Sequence, residues 1–236
     1  MQPSYQRILL KLSGETLGGT KGFGFDYEVV QTIAENISKV HDLGVAVGVV
    51  VGGANIFRGA RSAEGHIGRV AGDHMGMMAT VINSICLQEV LEQRGVNTRV
   101  MSAIDIRAVA EPYIKRRADR HLEKSRVVIF AAGTGNPFFT TDTAAVLRAS
   151  EINAEIVIKA TKTDGVYDKD PMLHADAVRY EQLDYAEVLK RNLKVMDSTA
   201  IAFCKDNDLP IMVLDINAPD AILRAVCGEP VGTLIS

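Results

Sequence analysis

Short apolar runs rich in β-branched residues recur at 8–12, 45–51, 98–101, 127–131, 156–158 and 211–214. They are continuous rather than alternating with polar positions, the pattern of strands covered on both faces in a parallel sheet. Between the first two, Val30, Ile33, Ile37 and Val40 return every three or four positions, with Asp26 placed as an N-cap and Gly44 as a stop. That spacing predicts an amphipathic helix, and stretches of helical period at 75–94, 142–152 and 198–206 repeat the strand, helix, strand unit. The repetition predicts an α/β fold, a three-layer αβα sandwich with helices on both faces of a mostly parallel central sheet. Residues 163–180 carry few periodic apolar positions and an Asp170-Pro171 turn signal, which predicts an excursion from the sheet of the kind that covers a ligand. No linker marks the 134–141 loop, so residues 1–236 are expected to form one domain of two lobes that meet near it.

With 236 residues and 47% apolar composition, the chain can bury a substantial core without help. A net charge of −3 gives no global field for nucleic acid or an acidic membrane, so any anion must be held locally. Cys86, Cys204 and Cys227 lie far apart, with neither zinc-site spacing nor a disulfide framework, which fits a reducing cytoplasm. Residues 1–11 lack the form of a signal peptide, and the longest apolar run, 45–57, is glycine-broken and too short to span a bilayer; neither export nor a membrane span is expected.

In open α/β sheets ligands bind beyond the carboxyl ends of strands, and there the chain concentrates glycine, hydroxyl and charge. After the first strand comes Lys11-Leu12-Ser13-Gly14-Glu15; alternation points Lys11 and Ser13 the same way, and Gly14 lets the backbone approach an anion. Lys11 can meet a phosphate there, or simply edge a strand beside a turn glycine. The second strand ends Gly52-Gly53-Ala54-Asn55, followed by Arg58-Gly59, either an anion nest with a guanidinium or a flexible turn with a solvated arginine. After the fourth strand, Gly133 to Asp142 is dense in hydroxyls and amides beside Phe138 and Phe139, a composition that suits a nucleobase, although the two rings can be core and Asp142 can cap a helix. After the fifth, Lys159 could meet phosphate, Tyr167 pack on a base and Asp170 bond a ribose, or the segment is a solvated turn. Equally informative, the chain has no P-loop signature, no dinucleotide fingerprint, no His-Glu-x-x-His site and no Gly-x-Ser-x-Gly elbow.

The runs Lys11-Leu12-Ser13-Gly14-Glu15 and Val51-Gly52-Gly53-Ala54-Asn55-Ile56-Phe57-Arg58-Gly59 resemble the amino acid kinase superfamily. Gly72-Asp73-His74-Met75-Gly76-Met77, the run from Thr134 to Asp142, and Lys194-Val195-Met196-Asp197 look like its bacterial UMP kinase branch, and the likeness spans nearly the whole chain. The resemblance implies phosphoryl transfer from ATP to UMP in pyrimidine biosynthesis, with Mg²⁺ delivered on ATP and no dedicated protein metal site. By the same resemblance, Lys11, Leu12, Ser13, Gly14, Ala54 and Arg58 lie on ATP phosphates, and Thr161, Tyr167 and Asp170 on its adenosine. UMP is expected against Gly53, Asp73, Thr134, Gly135, Asn136, Pro137, Phe138, Phe139, Thr140 and Thr141. Lys11, Arg58, Asp142, Lys159 and Asp197 are the implied catalytic set, the lysines and arginine neutralising charge and the carboxylates positioning cations. The N-terminal half would mainly serve UMP and the effector, the C-terminal half ATP.

Gly19, Thr20, Lys21, Gly22, Phe23 and Gly24, with Arg99 and Arg126, resemble an allosteric GTP site. UTP is the implied inhibitor, and the family's assembly is a homohexamer. One departure is Ala54, where the family commonly has a third glycine; a φ above zero there would strain the methyl. Three rival readings stand beside this one: a relative that phosphorylates a carboxylate or carbamate, a regulator that binds nucleotide without turning it over, and a nicotinamide-dependent oxidoreductase, against which the missing dinucleotide fingerprint argues.

Overall fold

A computed structural model describes residues 2–57 and 67–236. The first strand, β1 (Arg7–Leu12), leads through a short turn of helix α1 (Gly14–Leu17) to α2 (Tyr27–Asp42) and β2 (Ala46–Val51). There follow α3 (Arg69–Gln93), β3 (Thr98–Ser102), β4 (Glu111–Pro112), α4 (Lys115–Glu123), β5 (Val127–Ala131), α5 (Thr141–Glu151) and β6 (Ile156–Thr161). The chain closes with β7 (Gln182–Leu183), α6 (Tyr185–Lys190), α7 (Ser198–Asp206), β8 (Ile211–Asp215), α8 (Ala221–Val226) and β9 (Thr233–Ile235).

The strands form one sheet in the order β4-β3-β5-β2-β1-β6-β8-β9-β7. Pairing is parallel from β4 through β8, and β9 turns antiparallel to β8. The six long parallel strands are the six apolar runs of the sequence, because only continuous apolar strands can be covered on both faces. On one face Ile8, Leu10 and Leu12 pack under α2, α3 and α8, with Val30, Ile33, Ile37 and Val40 as the buried stripe of α2. On the other, Leu9, Phe130 and Val157 pack under α4, α5, α6 and α7. Burying one such aliphatic side chain contributes roughly 1.5–3 kcal/mol, so each stripe anchors its helix more firmly than helix propensity could.

Local signals hold at several ends. Asp26 caps α2 by accepting from Val29 N, and Gly44 follows that helix at φ 82°. Two expectations need correction. Helix α3 starts at Arg69 rather than near 75, so Asp73 lies on the helix itself. The cap of α5 is Thr140, whose hydroxyl accepts from Asp142 N and Thr143 N, which leaves the Asp142 carboxylate free for other partners. Beyond β6, a bridge between Tyr167 and Arg179 closes the expected excursion into a flap. No helix of the described residues is long and apolar enough to cross a membrane.

Candidate active site

Lys11 and Lys159 are register partners on the neighbouring strands β1 and β6. Both lie on the face that carries Leu9 and Val157, and both reach the first turn of α5. There Asp142 takes them together, with Lys11 Nζ 2.6 Å from Oδ1 and Lys159 Nζ 2.9 Å from Oδ2. Lys159 also donates to the carbonyl of Val195. Lys11 is only 8% exposed, and two adjacent ammonium groups at such depth need a carboxylate between them. Burial pushes the Asp142 carboxyl up, but the two lysines outweigh it and hold the group below the ordinary carboxylate range. Burial, helped by Lys11, draws Lys159 below the ordinary lysine value against the pull of Asp142.

Asp197 stands beside this cluster as the cap of α7, accepting from Ala200 N at 2.9 Å. Its second oxygen accepts from Thr140 Oγ1 at 2.5 Å and Thr143 Oγ1 at 2.9 Å, so it ties the start of α7 to the start of α5.

The glycine turns after β1 and β2 press on each other. A Cβ on Gly14 would stand 2.6 Å from both Ala54 N and Gly52 O, so any larger residue would force the turns apart. Ala54 does not have a positive φ, so its methyl carries none of the strain that a third glycine would have relieved. Leu12 is fully buried and can offer only backbone, and its carbonyl accepts from Gly52 N at 2.9 Å. Arg58 and Gly59 lie outside the described residues.

Two cavities flank the lysine pair. One, of about 160 Å³, is lined by Gly53, Ala54, Phe57, Gly72, Asp73, Gly76, Met77, Thr80, Gly133, Thr134, Asn136, Phe139, Thr140 and Thr141. Its wall ends at Thr141, the residue before Asp142. The other, of about 480 Å³, runs from Lys159 through Thr161, Val166, Tyr167 and Asp170 to Leu193, Lys194 and Val213. The flap supplies much of that wall. Asp142 therefore follows directly on the wall of one cavity and Lys159 lines the other, so the cluster lies between them.

Most expected acceptor residues line the first cavity, whereas Gly135, Pro137 and Phe138 shape its loop instead. Phe138 has φ 75° and is 65% exposed, so it is not the core ring that its composition allowed. Asp73 accepts from Phe138 N at 2.7 Å and from Arg69 Nε at 3.0 and 2.8 Å. Burial raises its carboxyl, but these donors more than offset that and hold it below the ordinary value. In the second cavity, Tyr167 donates its hydroxyl to Asp164 at 2.6 Å, and Asp170 accepts from Met172 N at 2.9 Å.

The residues expected to hold an effector are not gathered within one chain. The 19–24 loop follows α1 beyond the carboxyl end of β1, where Gly24 N donates to Asn55 O at 2.8 Å. Arg99 is the second residue of β3 and Arg126 directly precedes β5, so both lie at the amino ends of the strands rather than the carboxyl ends. There Arg99 lies 3.5 Å from Glu92 and 3.7 Å from Glu111, and Arg126 lies 3.0 Å from His121 Nδ1.

Sequence reasoning missed Thr80, Asn83 and Thr143. Thr80 Oγ1 accepts from Ala132 N at 2.8 Å, and Asn83 donates to Gly52 O at 2.6 Å. For Thr80 and Asn83 the available signal was a polar side chain at a core-facing position of the α3 period.

Residues 6–215 match the amino acid kinase family. Among solved structures, the chain is similar to the UMP kinase of Bacillus anthracis, with 41% identity over 98% of this chain and 96% of that one and a TM-score of 0.95. It is similar to the UMP kinase of Ureaplasma parvum, with 38% identity over all of both chains and a TM-score of 0.93. The uridylate kinase of Archaeoglobus fulgidus is 28% identical over 97% of this chain and 99% of that one, with a TM-score of 0.76. The chain belongs to the amino acid kinase family, on its bacterial-type UMP kinase branch.

Proposed function

We propose that this phosphotransferase moves the γ-phosphoryl group of ATP onto the phosphate of UMP, giving UDP and ADP. The observation that carries the reading is the Lys11–Asp142–Lys159 cluster, placed between the two cavities by Thr141 on one side and Lys159 on the other. UMP occupies the smaller cavity, with Asp73 and Thr134 to Thr141 around it, and ATP the larger one beneath the flap, with its adenosine on Thr161, Tyr167 and Asp170. Their phosphates then converge on the lysines and on the Ser13-Gly14 and Gly53-Ala54 turns. On this reading the chain is one domain of two lobes, one for UMP and one for ATP.

Phosphoryl transfer asks the protein to align donor and acceptor and to stabilise charge that spreads over the moving group. The acceptor phosphate has a second pKa of about 6 and is mostly a dianion at neutral pH, so no residue has to remove a proton. Asp142 is poorly suited to do so, since both its oxygens are paired with lysines and its pKa is lowered. Its role is to hold Lys11 and Lys159 together until phosphates take over their charge. Bond formation from a UMP phosphate oxygen to γ-phosphorus accompanies departure of the ADP β-phosphate oxygen, and the lysines offset the charge on both sides. Among the described residues no group of three His, Cys, Asp or Glu is placed to hold a metal. Mg²⁺ would be delivered with ATP, where it would offset negative charge on the phosphates.

The family likeness supports GTP as effector and UTP as inhibitor in a cytoplasmic homohexamer. The 19–24 loop lies beyond the carboxyl end of β1, whereas Arg99 and Arg126 lie at the amino ends of β3 and β5, so the two sets do not form one pocket within a single chain. Exposed Met75, Met78, Ile82 and Ile85 form an apolar stripe along α3 that a second copy would cover.

A coupled assay for UDP, with UMP, CMP, acetylglutamate and carbamate as alternative acceptors, tests the proposal. UMP should support turnover far above the others; turnover with acetylglutamate or carbamate and none with UMP would overturn it.

A further inference from the structure

Helix α3 turns an asparagine into the interior. Asn83 is fully buried, and every polar atom of its amide is used. Its Nδ2 donates to Gly52 O at 2.6 Å and to Asn55 Oδ1 at 2.7 Å, while its Oδ1 accepts from Asn55 Nδ2 at 3.1 Å. Asn55 is buried as well, and it grips the 19–24 loop at two points: Nδ2 donates to Gly24 O at 2.8 Å, and its carbonyl accepts from Gly24 N at 2.8 Å.

The Gly52 peptide is thus held from both ends, its N–H by Leu12 O and its carbonyl by Asn83. A peptide unit is planar and trans, so a carbonyl directed at α3 turns the next N–H the opposite way. That N–H belongs to Gly53, which lines the acceptor cavity beside Ala54. Preorganised backbone donors of this kind stabilise charge developing in a transition state without reorganising during the reaction. No other side chain of similar size supplies two donors and an acceptor here; an aspartate lacks the donors, and a serine is too short to reach Gly52.

We propose that Asn83 is a positioning residue for phosphoryl transfer, setting the direction of the Gly53 amide through Gly52 and linking it through Asn55 to the 19–24 loop. The inference rests on the reading of the smaller cavity as the acceptor site.

The test is steady-state kinetics with both substrates on Asn83→Asp, Asn83→Ser and Asn55→Asp, together with their melting temperatures. Asn55→Asp is the matched comparison, because it puts a carboxylate in the same buried pair yet leaves the Asn83 to Gly52 bond in place. Both Asn83 variants should lose about 10- to 100-fold in kcat, less than deletion of a donor outright, with KM for ATP within about twofold. Asn55→Asp should lose a similar amount of thermal stability but less than about fivefold in kcat. Losses of kcat that simply follow melting temperature across the three variants, or wild-type kcat in Asn83→Ser, overturn the proposal. If Asn83→Asp does not fold, Asn83→Ser decides alone, since it introduces no charge. The wild-type chain in the same assay separates the two ideas: no UDP from it sinks the functional reading, whereas an active wild type beside unaffected Asn83 variants sinks only the role of Asn83.

Discussion

The backbone N–H of Phe138 donates to Asp73 Oδ2 at 2.7 Å, joining the acceptor loop to α3 across 65 positions of sequence. Phe138 sits in left-handed backbone space at φ 75°, where an aromatic residue stores about 1–3 kcal/mol of strain that its surroundings must offset. A bond to a charged acceptor contributes about 1.5–3 kcal/mol, enough to balance that strain. Asp73 therefore shapes the loop proposed to meet UMP and also offers its own carboxylate to the cavity. Asp73→Asn should raise KM for UMP by roughly tenfold, about 1.4 kcal/mol, with little change in KM for ATP. Initial-rate measurements at varied concentrations of each substrate check this, and a selective effect on ATP would show that the carboxylate serves the other cavity.

The lysine pair predicts a different outcome. Lys11→Ala or Lys159→Ala should reduce kcat at least about 100-fold, as for loss of a preorganised electrostatic group, and leave the fold intact because Asp142 keeps one partner. Asp142→Ala should also abolish turnover, but here the two register-paired lysines lose the carboxylate between them. Removing one side of a buried ion pair costs about 3–5 kcal/mol, which urea denaturation would read as a lower midpoint with an unchanged slope. Wild-type kinetics in Lys11→Ala would strike it from the machinery.

The acid limb of the pH profile should belong to substrate rather than protein. Asp73 and Asp142 both have folded pKa values below the ordinary carboxylate value of about 3.9. Their contributions to stability are therefore complete above that value and are lost only as pH falls through the lowered folded pKa, so neither titrates between pH 5 and 8 by this argument. What does titrate is the acceptor phosphate, near pH 6. The rate constant kcat/KM for UMP should decline below about pH 6, and a thiophosphate analogue with a more acidic second proton should carry the limb to lower pH. A limb that stays put when the analogue replaces UMP would assign it to the enzyme.

Tyr167 divides ring from hydroxyl. The hydroxyl is spent on Asp164, which Arg179 also contacts at 3.1 Å, while the residue lines the larger cavity. Tyr167→Phe should change KM for ATP by less than about threefold, whereas Tyr167→Ala should raise it about tenfold through loss of the ring surface. UMP kinetics should be untouched in both. A reversed pattern, with UMP affected, would exchange the occupants of the two cavities.

How much of this could be read from the chain depends on how much apolar surface each segment buries. The six long parallel strands announce themselves because both faces are covered, and Asp26 marks the start of α2 by a local hydrogen bond. The strands β4, β7 and β9 hold two or three residues each, too few for any period, and α4 buries only Ala118 and Leu122 in a run dominated by charge. The first turns of α3 escape notice because Gly72 and Gly76, one turn apart on the helix, look like loop glycines rather than helix interior. At the site, Lys11, Asp142 and Lys159 can each be picked out after their strands, yet their meeting depends on the register of β1 against β6, which no local signal encodes. Thr80 and Asn83 are harder still, since a polar residue on a buried helix face reveals its purpose only when the loops it holds are in view.

The outer face of α3 yields the last expectation. Met75, Met78, Ile82 and Ile85 follow one another at spacings of three and four, all between 39% and 45% exposed, while Thr80 and Asn83 on the same helix hold the loops after β5 and β2. If a second copy covers the stripe, a charge placed there is driven into an apolar contact without a partner, which costs several kcal/mol and favours dissociation. Ile82→Glu should therefore shift the chain toward monomer in sedimentation velocity, with little change in the stability of the isolated subunit. Because α3 also holds both loops, the monomer should lose activity in proportion to its fraction. An Ile82→Glu protein that sediments as the wild type would place the interface elsewhere, and a fully active monomer would show that α3 holds the site without help from its neighbour.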